Sequence, residues 1–187
     1  MCLCAMHRTG LSRRRALLGC AALIVPGGPA VAQTELDRYR AAETAAADHI
    51  GKYRTADFDV FTAHGDMERI RESHAKDVVV HWPDGRRTTN VEAHIDDLKA
   101  MFVYAPDTHI PEHKVEIATA EWSSVIGVML GTFTRPMPTA DGKTIAPTGK
   151  PFRVTFSAVD HWTSGLIDEE YLFWDNLSFM RQVGLAS

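Results

Sequence analysis

Residues 165–185 read GLIDEEYLFWDNLSFMRQVGL and have the most informative pattern of apolar, acidic and glycine residues in the chain. Gly165 favours a tight turn, and residues 171–174 are aromatic or apolar side chains typical of a strand. Leu177, Met180 and Val183 recur every three residues, which predicts a short helix over 177–183. The chain therefore ends as a turn, a strand and a closing helix.

Asp175 lies where this strand passes into the helix. A carboxylate at that point can accept backbone N–H groups as a helix N-cap. It can equally end a pocket-lining strand as an ionisable group among aromatic side chains. Both interpretations stay open from the local sequence.

Two earlier segments have clear periodicity. Residues 78–82 (VVVHW) predict a strand, and a period of two puts Val78, Val80 and Trp82 on one face and His81 on the other. Residues 91–104 predict a helix that residues 88–90 cap. Its expected buried stripe consists of Ile95, Leu98, Met101 and Phe102.

The rest of the chain completes an α+β pattern. Helices are predicted over 33–62 and 67–74, a loop over 105–113, and antiparallel strands over 114–119, 122–133 and 152–162. Gly127 and Gly131 share one strand face, where a bend or the close approach of a ligand is easier. This order predicts one curved sheet packed against helices.

Three segments resemble SnoaL-like proteins, a polyketide-cyclase-related branch of the NTF2-like superfamily. Residues 170–184 (EYLFWDNLSFMRQVG) resemble the C-terminal signature, in which a strand ends in an acidic residue before an apolar helix and Gln-X-Gly. Residues 73–85 (SHAKDVVVHWPDG) are similar to the first strand, and residues 93–102 (AHIDDLKAMF) to the helix after it. We therefore divide the chain into an export leader (1–32), a helical extension (33–55) and a SnoaL-like domain (56–187).

The resemblance implies a fold and a pocket. The fold is a cone-shaped NTF2-like barrel whose curved mixed or antiparallel sheet packs against N-terminal helices. Its mouth is lined by aromatic side chains. The residues expected to bind substrate are Trp82, Phe102, Phe133, Tyr171 and Phe173, although each could equally belong to the core.

The resemblance also implies an activity. Characterised SnoaL-like cyclases close a ring by intramolecular aldol condensation, with an aspartate on the last strand as acid and base and no cofactor. Asp175 matches that aspartate by position. His161 and His81 are the candidates to hydrogen bond the substrate carbonyl or to share the proton.

Residues 1–32 have the pattern of an export signal. SRRRALLG at 12–19 is a basic segment of the twin-arginine type, residues 16–25 are apolar, and Ala30 and Ala32 form a small-residue cleavage site. We expect a periplasmic or secreted protein with no membrane span in its mature form. Cys20 also stands in a sequence similar to a lipoprotein box, and its lipidation stays open.

Removing the leader changes the bulk chemistry. All three cysteines lie within it, so the mature chain has no disulfide and no thiolate ligand. Its four arginines leave 16 of the 20 basic residues against 24 acidic ones, a net charge of −8 that disfavours nucleic acid. Pro111 separates His109 from His113 and excludes helical metal pairing, so we predict no metal site and no cofactor.

These observations favour an exported protein that binds a small hydrophobic molecule. Acid–base chemistry of the cyclase, isomerase or hydrolase type on a carbonyl compound is one hypothesis. A periplasmic binding protein without catalysis, or a module whose sheet serves only to dimerise, are the alternatives. Whether the protein is an enzyme or a binding protein, we expect a homodimer.

Overall fold

The computed structural model describes residues 29–58, 66–139 and 141–187. Residues 1–28, which include most of the expected export leader, lie outside the described residues. The helices are α1 (Pro29–Lys52), which continues into a π-helical segment (Tyr53–Phe58), a 3-10 helix (Met67–Glu72), α2 (Val91–Tyr104) and α3 (Asn176–Gln182). The strands are β1 (His74–His81), β2 (Arg87–Thr88), β3 (His109–Ala118), β4 (Trp122–Thr132), β5 (Met137–Pro138), β6 (Thr144–Ile145), β7 (Pro151–Thr163) and β8 (Leu166–Trp174).

Six of the strands form one mixed sheet in the order β2-β1-β8-β7-β4-β3. The strands β1 and β8 run parallel, and every other neighbouring pair runs antiparallel. The strands β5 and β6 form a separate two-stranded ribbon. This sheet with its helices confirms the α+β class predicted from the order of elements.

The pairing of β1 with β8 joins the two ends of the domain. Its register places His74 opposite Ile167 and Val79 opposite Glu169, with an irregularity between the two pairs. The predicted period of two is present: Val80 and Trp82 share one face, which is buried, while His81 on the opposite face is half-buried. One face of β1 therefore belongs to the core.

Helix α2 has the predicted bounds and an N-cap at Asn90. The Asn90 side chain accepts a hydrogen bond from the backbone N–H of Ala93 at 2.8 Å. The buried residues of this helix are Val91, His94, Ile95 and Leu98. Because His94 belongs to the buried stripe, α2 carries an imidazole into the core.

Two predicted boundaries were wrong. The helix expected over 67–74 is a 3-10 helix that ends at Glu72, and His74 already opens β1. The loop expected over 105–113 is partly strand, since β3 begins at His109. Pro111 is tolerated there because β3 is an edge strand whose register shifts between His109 and Glu112.

The glycines of β4 make room for aromatic rings rather than for a ligand. A Cβ atom at Gly127 would lie 2.5 Å from the ring of Phe156, and one at Gly131 would lie 2.6 Å from the ring of Phe152. Both distances are shorter than carbon atoms tolerate, so the two glycines let β7 place its phenylalanines against β4. None of the described helices is both long and apolar enough to cross a membrane.

Candidate functional site

An inner cavity lies between α2 and the buried face of the sheet. It contains about 550 Å³ of empty space, including its open end. Most of its lining is apolar or aromatic, and the polar exceptions are two histidines and one glutamate. The lining consists of Tyr53, Ile70, His74, Trp82, His94, Leu98, Met101, Ile110, Met129, Phe156, Glu170, Leu172 and Trp174.

A second, wider pocket adjoins the inner cavity. It contains about 1380 Å³ of empty space and shares Trp82, Met101, Met129 and Trp174 with the inner cavity. Its own lining is more polar and includes a guanidinium group and two carboxylates. A small molecule can thus place an apolar part inside and a polar part outside.

The polar groups of the inner cavity are His74 on β1, His94 on α2 and Glu170 on β8. They are 3%, 2% and 4% exposed, respectively. The Oε2 atom of Glu170 lies 3.5 Å from Nε2 of His94 and 3.8 Å from Nε2 of His74. The two imidazole rings are 5.0 Å apart between centroids. Three elements therefore deliver one carboxylate and two imidazoles to a single buried point.

The ring nitrogen of His74 that faces away from Glu170 contacts the end of the 3-10 helix. This Nδ1 atom lies 3.1 Å from the backbone carbonyl of Ile70 and 2.9 Å from Oγ of Ser73. A carbonyl oxygen only accepts hydrogen bonds, so Nδ1 carries a proton. The Nε2 atom consequently points to Glu170 and is the position at which His74 can gain or lose a proton.

Burial shapes the charges of this cluster. Burial lowers the pKa of His94 to about 4, although the Glu170 carboxylate opposes that shift. Burial on its own raises the pKa of Glu170, but the interactions with His74 and His94 outweigh it and the net pKa is lowered. Near neutral pH, the cluster is therefore a carboxylate beside a neutral His94.

The cluster can support two kinds of chemistry. A buried carboxylate beside imidazole groups can move a proton to and from a bound molecule. The three groups can also offer one ligand atom each to a metal ion, with the three atoms within 4.8 Å of one another. Two atoms of the cluster, Nδ1 of His94 and Oε2 of Glu170, make no hydrogen bond with the described residues.

Asp175 lies elsewhere, at the start of α3. Its side chain is exposed and accepts a hydrogen bond from the backbone N–H of Ser178 at 2.9 Å. This is the N-cap geometry that the sequence left open as one of two roles. Asp175 does not line either of the two pockets described above.

His81 and His161 lie on the outer face of the sheet. The Nε2 atom of His81 is 2.9 Å from the carboxylate of Glu169, and its ring stacks on Tyr171 with centroids 4.3 Å apart. The Nδ1 atom of His161 is 2.6 Å from the carboxylate of Asp168. The structure places these two histidines on β1 and β7, the strands on either side of β8, on the side away from the inner cavity.

Of the aromatic residues expected to bind substrate, Trp82 lines the inner cavity. Phe133 is fully buried and packs edge-on against Tyr104 at 6.0 Å, and Phe102 packs against the same core. Tyr171 and Phe173 lie on the outer face, where Phe173 is 55% exposed. These four residues do not line the inner cavity.

The sequence held signals for the residues that the predictions missed. Glu170 alternates with Leu172 and Trp174, so it shares their strand face. His94 stands three residues after Val91 and four before Leu98, in the buried stripe of a helix. In both cases, a polar residue stands at a position where the strand or helix period predicts a buried apolar residue.

Several solved structures have a fold similar to that of this chain. A structure of a candidate SnoaL-like polyketide cyclase from Jannaschia sp. CCS1 matches with a TM-score of 0.65 at 14% identity, over 76% of this chain and 96% of that one. IdmH, a candidate polyketide cyclase from Streptomyces antibioticus, matches with a TM-score of 0.58 at 22% identity, over 74% and 97%.

A protein from Catenulispora acidiphila DSM 44928 with a ketosteroid isomerase-like fold, solved in complex with trimethylamine, matches with a TM-score of 0.56 at 16% identity, over 70% of this chain and 91% of that one. A search of the curated proteins finds no match. The model of the SnoaL-like polyketide cyclase family matches residues 53–183. Those residues contain the whole inner cavity and all six strands of the main sheet, and the chain belongs to the SnoaL-like polyketide cyclase family of the NTF2-like superfamily.

Proposed function

We propose that this protein is an acid–base enzyme that enolises an apolar carbonyl compound in the inner cavity and then cyclises or isomerises it. The observation that carries the proposal is the carboxylate of Glu170, which is 4% exposed and lies among apolar side chains beside two imidazoles. Burying a carboxylate is costly, and a fold keeps one in a cavity where it has a use.

The lining defines the class of substrate. Among the described residues, no lysine or arginine lines the inner cavity, so nothing there compensates a carboxylate or phosphate on the ligand. An anionic group would also face Glu170 at close range. The part of the substrate that enters is therefore neutral and hydrophobic, with Trp82, Phe156 and Trp174 available to pack against rings.

Glu170 is the base in this proposal. Its carboxylate removes a proton from the carbon beside a substrate carbonyl, and the electrons of that C–H bond form the enolate. The neutral imidazole of His94 donates a hydrogen bond from a ring N–H to the enolate oxygen. The enolate carbon attacks a second carbonyl of the same molecule, and the new alkoxide recovers the proton from Glu170. Confinement in the cavity holds both reacting ends together.

Proton exchange into a simple ketone tests the first step without knowledge of the natural substrate. The probe is 2-tetralone, an apolar bicyclic ketone, in deuterated buffer with exchange followed by NMR. We expect the wild-type protein to accelerate exchange beside the carbonyl and Glu170→Gln to lose the acceleration. Binding of the probe without accelerated exchange would favour the alternative of a ligand-binding protein without catalysis.

We propose further that the mature protein acts outside the cytoplasm. The support is the twin-arginine-type leader at residues 1–32. Mass spectrometry of the protein from its host should find an N-terminus at Gln33 in the exported fraction. A cytoplasmic chain that retains Met1 would contradict this proposal.

A homodimer through the outer face of the sheet completes the proposal. Cross-strand pairing aligns Phe173 on β8 with Val115 on β3 in one row across four strands, and both are exposed, as is the neighbouring Ile117. We expect Ile117→Glu to convert a dimer to a monomer in light scattering after gel filtration. The matched control is Leu36→Glu, an exposed position on α1. A wild-type monomer would exclude this dimer.

A further inference from the structure

His74, His94 and Glu170 point one ligand atom each at a common centre. In a tetrahedral site with bonds of about 2.0–2.1 Å, neighbouring ligand atoms lie about 3.3 Å apart. The distances from Oε2 of Glu170 to the two Nε2 atoms are 3.5 and 3.8 Å. Both separations are within about 0.5 Å of that spacing, so small side-chain rotations bring these atoms to the geometry of a metal site.

The support behind His74 is a second and independent observation. Imidazoles that bind metals usually donate their other ring N–H to a backbone carbonyl or a carboxylate, which fixes the ring and the tautomer. Nδ1 of His74 does so to the carbonyl of Ile70 at 3.1 Å, with Oγ of Ser73 at 2.9 Å. The Nε2 atom is thereby directed towards the carboxylate of Glu170, at 3.8 Å from Oε2.

The donor set selects the class of cation. Two imidazoles and one carboxylate suit zinc and the neighbouring divalent transition metals. Magnesium and calcium prefer oxygen ligands throughout. Three protein ligands would leave a fourth position for water or a bound molecule, and all three residues line the inner cavity.

We propose that His74, His94 and Glu170 bind a divalent transition metal of the zinc type and that the bound metal switches off proton transfer in the cavity. The metal would occupy the carboxylate lone pairs with which Glu170 accepts a proton. Inhibition rests on the proposed acid–base function, whereas metal binding does not. The sequence predicted no metal site because the mature chain has no cysteine and Pro111 separates His109 from His113.

Cobalt binding tests the site directly. The full mature protein is stripped with a chelator and titrated with Co²⁺, and its visible absorption is recorded. We expect one equivalent to give the strong bands of four- or five-coordinate cobalt, and Zn²⁺ to displace it. His94→Gln and Glu170→Gln should each weaken Co²⁺ binding at least about 100-fold, and His109→Gln, the matched control, should leave it unchanged.

A measurement on the wild-type protein covers the case in which a variant fails to fold. X-ray absorption at the zinc edge should find two imidazoles and one carboxylate around the ion. A first shell of oxygen ligands alone, or cobalt binding that survives in folded His94→Gln and disappears in His109→Gln, would overturn the site.

The exchange assay separates the two proposals. Exchange of 2-tetralone should fall in proportion to zinc occupancy and return when a chelator is added. Zinc binding with unchanged or faster exchange would refute inhibition. Zinc binding to a protein that shows no exchange even when metal-free would leave the site standing and refute the acid–base function.

Discussion

Replacing Glu170 with glutamine should separate catalysis from stability. The amide keeps the shape of the side chain but cannot accept a proton as the carboxylate does. We expect Glu170→Gln to lower the rate of 2-tetralone exchange by about 10²- to 10⁴-fold, the usual contribution of a positioned acid or base. That range corresponds to about 2.7–5.4 kcal/mol of activation free energy.

The free energy of unfolding should change much less. Oε2 of Glu170 lies 3.5 and 3.8 Å from the two imidazoles, beyond the distance of a strong hydrogen bond. Burial lowers the pKa of His94 to about 4, so this imidazole is already neutral near neutral pH, and the glutamine adds no charge to the cavity. We therefore expect a loss below about 2 kcal/mol, the value of one hydrogen bond to a charged group.

Asp175→Asn is the control for this experiment because Asp175 is an exposed helix cap. Exchange rates and urea unfolding are measured for both variants and for the wild type. A folded Glu170→Gln protein with the wild-type exchange rate would refute the role of Glu170. Loss of exchange in Asp175→Asn instead would identify Asp175 as the base and restore the expectation drawn from the family.

Asp175→Ala should cost about 1 kcal/mol in urea unfolding and Asp175→Asn only a few tenths, because asparagine caps a helix as well as aspartate; equal losses would contradict the capping role. Gly127→Ala should cost about 1–3 kcal/mol, since its Cβ would lie 2.5 Å from the ring of Phe156. A Cβ atom at Gly51 in α1 would have no atom within 4 Å apart from the local helix backbone, so Gly51→Ala should raise the free energy of unfolding by up to about 1 kcal/mol. A lower free energy of unfolding for Gly51→Ala would contradict this difference between the two glycines. Burial lowers the pKa of His49, so the unfolded chain binds more protons and the free energy of unfolding should fall as pH drops below about 6.5. His94 contributes in the same direction, so His49→Gln should make that pH dependence less steep in urea titrations, and an unchanged slope would exclude His49 as a contributor.

The sequence predicted the elements that have a clear hydrophobic period or a capping residue. Alternation in β1 put Val80 and Trp82 on one face and His81 on the other, and α2 runs over the predicted residues with Asn90 as its cap. Pro111 misled the prediction for β3, since proline usually marks a loop. An edge strand does not need the missing N–H group, and only the sheet order reveals that β3 is an edge.

The candidate site depends on contacts that no local pattern contains. His74 and Glu170 come together only through the parallel pairing of β1 with β8 and its register shift. In the sequence alone, Glu170 is one acidic residue in the run of residues 168–170. Asp175 was the more conspicuous carboxylate because it stands between aromatic residues and a helix, although that position is also where a cap belongs.

The central place of β8 in the sheet has a consequence for synthesis of the chain. Until residues 166–174 have left the ribosome, β1 has no partner that joins it to β7. A nascent chain of about 165 residues would expose the edges of both β1 and β7, and exposed strand edges invite aggregation. A premature stop codon before residue 166 should therefore yield insoluble protein rather than a smaller working domain, although the first 165 residues would still be made.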